Sequence, residues 1–229
     1  MRRLGSIQCI EKVSDYDAPW IILFHGYGAD ASDLSPLGDI ISTPIATNWL
    51  FPQGILEVPI GPGWSGRAWW NIRMSDLQAA ADRGENFDFS DIKPDGFETA
   101  KKKALEMIQG LKVPWNQIVL GGFSQGAMLA TELYLSAPET PKGLMILSGT
   151  LINQSEWKPK VANRQGQSFF MSHGSQDAVL GIKHAQKLET LLCQGGMKGK
   201  LMSFGGGHEI PPHILKAAGT YLHDTFKQP

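Results

Sequence analysis

Between a short apolar run, Gln117-Ile118-Val119-Leu120, and a stretch with helical spacing over 127–135 stands the pentapeptide Gly122-Phe123-Ser124-Gln125-Gly126. The run before it is rich in β-branched residues and reads as a buried strand. The stretch after it is built from strong helix formers. A chain that passes from strand to helix across Gly-x-Ser-x-Gly must turn sharply, and the glycines leave room for backbone to pass close to backbone. The serine hydroxyl is then held out at the carboxyl end of the strand. With 26 glycines in 229 residues the pentapeptide alone is a weak signal, so the flanking strand and helix carry it. The competing reading is an ordinary strand-to-helix turn.

Elements of the same two kinds alternate along the rest of the chain. The sequence predicts an opening strand over 7–13, and Trp20-Ile21-Ile22-Leu23-Phe24 has the continuous apolar character of a strand buried on both faces of a parallel sheet. A helix is expected over 33–42 and a short strand over 49–51. From 54 to about 94 the chain is rich in Gly, Pro and Trp without clear periodicity, the mark of a functional insertion. Helices are expected over 96–110, 125–136, 181–195 and 211–226, with strands over 117–120, 143–147, 168–171 and 200–204. The fold class is therefore α/β: one domain spanning 1–229, with a mostly parallel sheet covered by helices on both faces.

Net charge is −1 and the longest basic run is Lys101-Lys102-Lys103 inside an expected helix, so nothing draws the chain to nucleic acid or an anionic membrane. No segment approaches about 18 consecutive apolar residues, and the positive start Met1-Arg2-Arg3 lacks an apolar region behind it. No transmembrane helix or leader is expected, and a cytoplasmic location is the default. Two cysteines are too few for a disulfide framework, and Cys193 falls in a helical pattern as a core residue. No His or Cys pair has metal-ligand spacing, so neither metal nor organic cofactor is expected.

A serine hydroxyl needs an adjacent base to act as a nucleophile, and that base needs an orienting group. Asp177 lies in Ser172-His173-Gly174-Ser175-Gln176-Asp177, directly after an expected strand. His208 lies in Gly205-Gly206-Gly207-His208-Glu209, after the next one. Emergence from a buried strand into a polar, Gly-rich loop is where ligand-facing residues sit in open α/β sheets. Asp177 could instead cap the following helix. Of the other histidines, His184, His213 and His223 fall in helical stretches, while His25 and His173 each precede a glycine at a strand end. There a buried imidazole can bond neighbouring loops. Two backbone N–H groups are candidates for an oxyanion hole: that of Gln125 at a helix N-terminus, and that of Tyr27 in Phe24-His25-Gly26-Tyr27-Gly28.

Taken together, His25-Gly26-Tyr27-Gly28-Ala29-Asp30, Gly122-Phe123-Ser124-Gln125-Gly126-Ala127, His173-Gly174-Ser175-Gln176-Asp177 and Gly207-His208-Glu209-Ile210 resemble the phospholipase/carboxylesterase family of α/β-hydrolases, which includes acyl-protein thioesterases. The resemblance covers nearly the whole chain. It implies an α/β-hydrolase fold without a large cap domain, and a serine esterase acting on small ester or thioester substrates without a cofactor. It also implies Ser124 as nucleophile, His208 as base, Asp177 as orienting acid, and the N–H groups of Tyr27 and Gln125 as oxyanion donors. The segment Trp64-Ser65-Gly66-Arg67-Ala68-Trp69-Trp70-Asn71 resembles the family's aromatic region, with Trp69 and Trp70 as candidate substrate contacts; simple packing is the alternative. The polar stretch 78–86 departs from a greasy acyl-sheltering loop. A homodimer is compatible with the exposed aromatic surface such a segment could offer. The rivals are a serine peptidase or amidase, and a binding protein that has kept the fold without turnover.

Overall fold

The strand expected near the N-terminus is a hairpin. In the computed structural model, which describes residues 1–227, β1 (Arg2–Leu4) pairs antiparallel with β2 (Ile7–Lys12) across Gly5, whose φ of 57° suits a residue without a side chain. The chain continues through β3 (Trp20–Phe24), the one-turn α1 (Leu37–Ile40), β4 (Asn48–Pro52), β5 (Leu56–Gly61), β6 (Trp64–Ala68) and α2 (Met74–Ala81). It then runs α3 (Phe97–Leu111), β7 (Ile118–Phe123), α4 (Gln125–Ser136), β8 (Gly143–Leu147), α5 (Gln154–Val161) and β9 (Phe169–Gly174). It closes with α6 (Ile182–Gln194), β10 (Leu201–Phe204) and α7 (Pro212–Lys227). Eight strands form one sheet in the order β1-β2-β4-β3-β7-β8-β9-β10, antiparallel at the β1 and β2 edge and parallel from β4 to β10. A separate two-stranded ribbon is made by β5 and β6.

The alternation of side chains along each strand sorts the core into two layers. In β3, Trp20, Ile22 and Phe24 join one cluster, while Ile21 and Leu23 join the other. The first layer is covered by α3, α4, α5 and α6, and the second by α1 and α7. Helix α3 presents Phe97, Ala100, Ala104, Met107, Ile108 and Leu111 on one face, the spacing of an amphipathic helix. No helix among the described residues is long and apolar enough to cross a membrane.

Helix α4, which leaves the serine turn, is buried from Gln125 to Leu135 and carries a fully buried carboxylate, Glu132. Its Oε2 accepts from Trp157 Nε1 at 2.6 Å and its Oε1 from Lys160 Nζ at 2.8 Å and Ser136 Oγ at 2.5 Å, with Lys101 Nζ at 3.4 Å. The cluster therefore joins α4 to α3 and α5. Glu132→Ala should lower stability by about 3 kcal/mol, because it leaves a void and an unpaired buried indole N–H, while Lys160 and Lys101 keep only Glu156 and Glu98 as carboxylate partners. Urea denaturation checks this; a midpoint shift no larger than that of Lys187→Ala, a surface pair to Asp88, would count against it.

Several expected elements differ. The helix expected over 33–42 is a single turn, because Pro36 can only start a helix and Ser35, Ser32 and Asp30 bond among themselves in turns. The segment 54–94 is not irregular throughout, since it holds β5, β6 and α2. Helix α5, with Pro159 inside it, went unpredicted. Cys193 is exposed rather than in the core, as the buried stripe of α6 runs through Ala185, Leu188, Leu191 and Leu192.

Candidate active site

Register in the parallel part of the sheet brings the ends of β3, β7, β9 and β10 to one edge. Ser124 follows β7 with φ 56° and ψ −120°, a conformation that costs a non-glycine residue on the order of 1–3 kcal/mol. Close packing enforces it. A Cβ on Gly126 would stand 2.0 Å from Phe24 O at the end of β3, and one on Gly122 would stand 2.4 Å from the backbone of Gly126. The pentapeptide thus needs glycine at both ends for steric reasons. The Ser124 N–H donates to Leu147 O at 2.9 Å, which anchors the turn to β8.

Asp177 and His208 meet. The loops that carry them are stitched by Ser175 N–H to Phe204 O at 2.8 Å and Gln176 N–H to Gly206 O at 2.9 Å. Asp177 Oδ2 then accepts from His208 Nδ1 at 2.6 Å, leaving Nε2 as the ring's accepting nitrogen. Asp177 Oδ1 accepts from the N–H groups of Val179 and Leu180, both at 2.8 Å. The capping alternative is therefore partly realised as a local turn, while the N-cap of α6 is Gly181. Burial pushes the Asp177 carboxyl up, but hydrogen bonds from His173, His208 and Leu180 outweigh it and hold the group well below the usual carboxylate range. The His208 ring lies against Phe123, the residue before Ser124, with centroids 4.7 Å apart. Among the described residues no hydrogen bond joins Ser124 Oγ to His208; the imidazole stands at the serine turn without closing on it.

The second candidate donor lies across from the turn. Beyond β3 the loop 25–29 is bonded on both sides: Gly28 N–H donates to Arg67 O at 2.8 Å and Arg67 N–H to Ala29 O at 2.7 Å. Ribbon β5–β6 is pressed so closely on this loop that a Cβ on Gly66 would fall 1.9 Å from Gly28 O. His25, fully buried, accepts from Gly54 N–H at its Nε2 (2.9 Å) and so donates from Nδ1 to Gly26 O (2.7 Å); burial pushes its pKa down. The N–H groups of Tyr27 and Gln125 have no hydrogen-bond partner among the described residues.

Trp69 lies wholly inside the fold, whereas Trp70 is buried but forms part of a cavity wall. Trp69 is 0% exposed and Trp70 2%, and both are held by the Gln125 side chain: Trp69 N–H donates to Oε1, and Nε2 donates to Trp70 O, each at 2.9 Å. Both pack beneath the serine turn, as the packing alternative describes, and Trp70 also borders a cavity. A cavity of about 300 Å³ opens beyond Trp70, walled by Ile72, Phe87, Phe89, Ile92 and Pro94. Trp64, by contrast, is exposed at the tip of the ribbon beside Ile60.

His173 is the buried strand-end imidazole bonded to a neighbouring loop that the His-Gly pair suggested. It is fully buried in β9, and its Nε2 lies 2.5 Å from Leu180 O and 3.2 Å from Asp177 Oδ2. Its approach to Asp177 had no signal in the sequence.

The family model for Phospholipase/Carboxylesterase matches residues 6–226. Acyl-protein thioesterase 1 of Debaryomyces hansenii is 25% identical over 220 residues, covering 91% of each chain. The protein of the same name from Kluyveromyces lactis is 29% identical over 170 residues, or 72% of each. Among solved structures, esterase PE8 superposes with a TM-score of 0.76 at 22% identity, covering 96% of this chain and 99% of its own. The Bacillus cereus carboxylesterase gives 0.71 at 18% identity over 96% and 95%. A family match across nearly the whole sequence, on a parallel sheet whose strand ends carry these groups, means that the chain belongs to the phospholipase/carboxylesterase family and is an ester hydrolase with the α/β-hydrolase fold.

Proposed function

We propose that the chain hydrolyses small carboxylic esters and thioesters through an acyl-enzyme on Ser124. The observation that carries this reading is the 2.6 Å bond from His208 Nδ1 to Asp177, which leaves Nε2 able to accept a proton beside the strained serine turn. His208 Nε2 takes the Ser124 proton as Oγ attacks the acyl carbon, closing the gap to the serine in the substrate complex. Asp177 fixes the tautomer and stabilises the imidazolium. The tetrahedral oxyanion rests on the N–H groups of Tyr27 and Gln125, the second of which also has the N-terminal dipole of α4 behind it. His208 then protonates the leaving alkoxide or thiolate, and water repeats the sequence on the acyl-enzyme.

The 78–86 stretch that follows the aromatic segment is polar, with Asp82, Arg83 and Glu85, and offers no greasy shelter for a long acyl chain. We read this as a preference for short acyl groups. Both cysteines are free, which suits the reducing cytoplasm proposed as its setting. A series of p-nitrophenyl esters from acetyl to palmitoyl tests the reading, with the acyl-enzyme trapped by acid quench and located by mass spectrometry. Activity should peak at short chains, with acyl mass on the peptide containing Ser124. Activity rising toward palmitoyl would overturn the short-chain preference, and acyl mass on any other residue would overturn the mechanism.

A further inference from the structure

We propose that the Gln125 side chain and the Trp69 indole are positioning residues that set the spacing between the two oxyanion donors. The inference rests on the acyl-enzyme reading above and concerns how its oxyanion hole is built. The two donors belong to separate segments: Gln125 N–H to the first turn of α4, and Tyr27 N–H to the loop after β3. An oxyanion hole works only if both donors reach the same oxygen at about 2.7–3.1 Å, and a displacement of about 1 Å can cost two powers of ten in rate.

One continuous hydrogen-bonded chain joins the segments. Gln125 Oε1 accepts from Trp69 N–H at 2.9 Å, and the Trp69 indole Nε1 donates to His25 O at 2.9 Å, two residues before Tyr27. Gln125 Nε2 completes the clamp on Trp70 O at 2.9 Å. The indole is wedged edge-on against Phe24 (centroids 5.2 Å) and tilted against the His25 ring (5.3 Å), so its N–H has little freedom to turn away. Four backbone groups around Tyr27 are held in the same way. His25 O is held by Trp69, Gly26 O by the His25 ring and Ala29 N–H, Gly28 N–H by Arg67 O, and Ala29 O by Arg67 N–H. Tyr27 N–H makes no hydrogen bond among the described residues, and neither does Gln125 N–H; both lie past the carboxyl ends of neighbouring strands, β3 and β7. A residue whose backbone donates to the oxyanion while its side chain locates the other donor couples the two halves of the hole.

The test uses Gln125→Met, which keeps volume and loses both side-chain bonds, and Trp69→Phe, which keeps a buried ring and loses the indole N–H. Each should lower kcat by about tenfold to a hundredfold with KM within about twofold. Each should also weaken inhibition by an alkyl boronic acid, which mimics the tetrahedral adduct, by the same factor as kcat/KM. Because both bonds are links of one chain, the double variant should lose less than the product of the single losses. A merely structural role would lower the melting temperature and leave kcat and boronate affinity alone. Folded variants with kcat within twofold of wild type overturn the inference. Wild-type protein gives an independent readout: the Trp69 indole ¹H–¹⁵N resonance should shift when the boronate adduct forms, and an unmoved resonance also overturns it. Ser124→Ala separates the two levels of argument. Boronate inhibition that depends on Ser124, with Gln125→Met and Trp69→Phe fully active, sinks this inference alone; turnover without Ser124 sinks the acyl-enzyme reading as well.

Discussion

Ser124→Ala should leave less than about one ten-thousandth of wild-type kcat, with folding unimpaired. The hydroxyl makes no hydrogen bond among the described residues, so its removal orphans no partner, and alanine sits at φ 56° with the same strain as serine. The loss is therefore chemical: the attacking oxygen is gone while the His208–Asp177 pair and both N–H donors stay in place. Ser124→Gly should be equally inactive but more stable than wild type by about 1 kcal/mol, since glycine relieves the left-handed strain. The strain at 124 would then be a cost of presenting the nucleophile, imposed by Gly126 packed on Phe24 O and released when the residue no longer needs a side chain. Residual esterase activity measured against p-nitrophenyl acetate, and melting temperatures of the two variants, check both halves. Turnover by Ser124→Ala above about one per cent of wild type would remove Ser124 from the mechanism, and a Ser124→Gly protein no more stable than Ser124→Ala would remove the strain.

Where the fold was legible in the sequence, local pattern and tertiary environment agreed. The helix expected over 125–136 and the strand over 143–147 were found at those bounds, because each combines continuous apolar character with a sharp glycine or proline boundary. The parallel sheet followed from such segments alternating. What stayed hidden depends on partners distant in the chain. Ribbon β5–β6 carries Pro59, Gly61, Gly63 and Gly66, which blur its alternation, yet Gly66 is there to let Gly28 O approach, a contact 38 positions away in sequence (66 − 28). Strand β1 is three residues, two of them arginine, and exists by pairing with β2. The strand-end positions of Ser124, Asp177 and His208 were readable because each follows an apolar strand. The burial of Trp69 and Trp70 was not, since an aromatic run near a site looks the same whether it lines a pocket or supports a backbone; the bonds to Gln125 and His25 reveal the supporting role. For His173 the buried, loop-bonding role was legible, but not the meeting of its Nε2 with Asp177, which needs the strand-end loop to fold back.

Asp177→Asn should lower kcat/KM by about four powers of ten while the chain still folds. The two carboxylate oxygens face different demands. Oδ1 accepts from the N–H groups of Val179 and Leu180, whereas Oδ2 accepts from His208 Nδ1 and lies within reach of His173 Nε2. An asparagine that keeps its carbonyl toward the two backbone donors must aim its NH₂ group at His208 Nδ1. Two donors cannot share that line, so His208 is driven to the tautomer in which Nδ1 accepts and Nε2 carries the proton, and Nε2 can no longer take the proton from Ser124. Turning the amide over restores His208 but sets NH₂ against the Val179 and Leu180 N–H groups, which costs stability instead. The same residue predicts an acid limit. Folding holds the Asp177 carboxyl below its unfolded value of about 4, so its contribution to stability is complete above that pH and is lost as pH falls toward the folded value. Urea midpoints of wild type should therefore fall between neutral pH and about pH 3 by more than those of Asp177→Asn, which has no proton to take up there. Activity of the variant within tenfold of wild type, or parallel midpoint curves for the two proteins, would show that the Asp177–His208 bond neither sets the tautomer nor holds the charge.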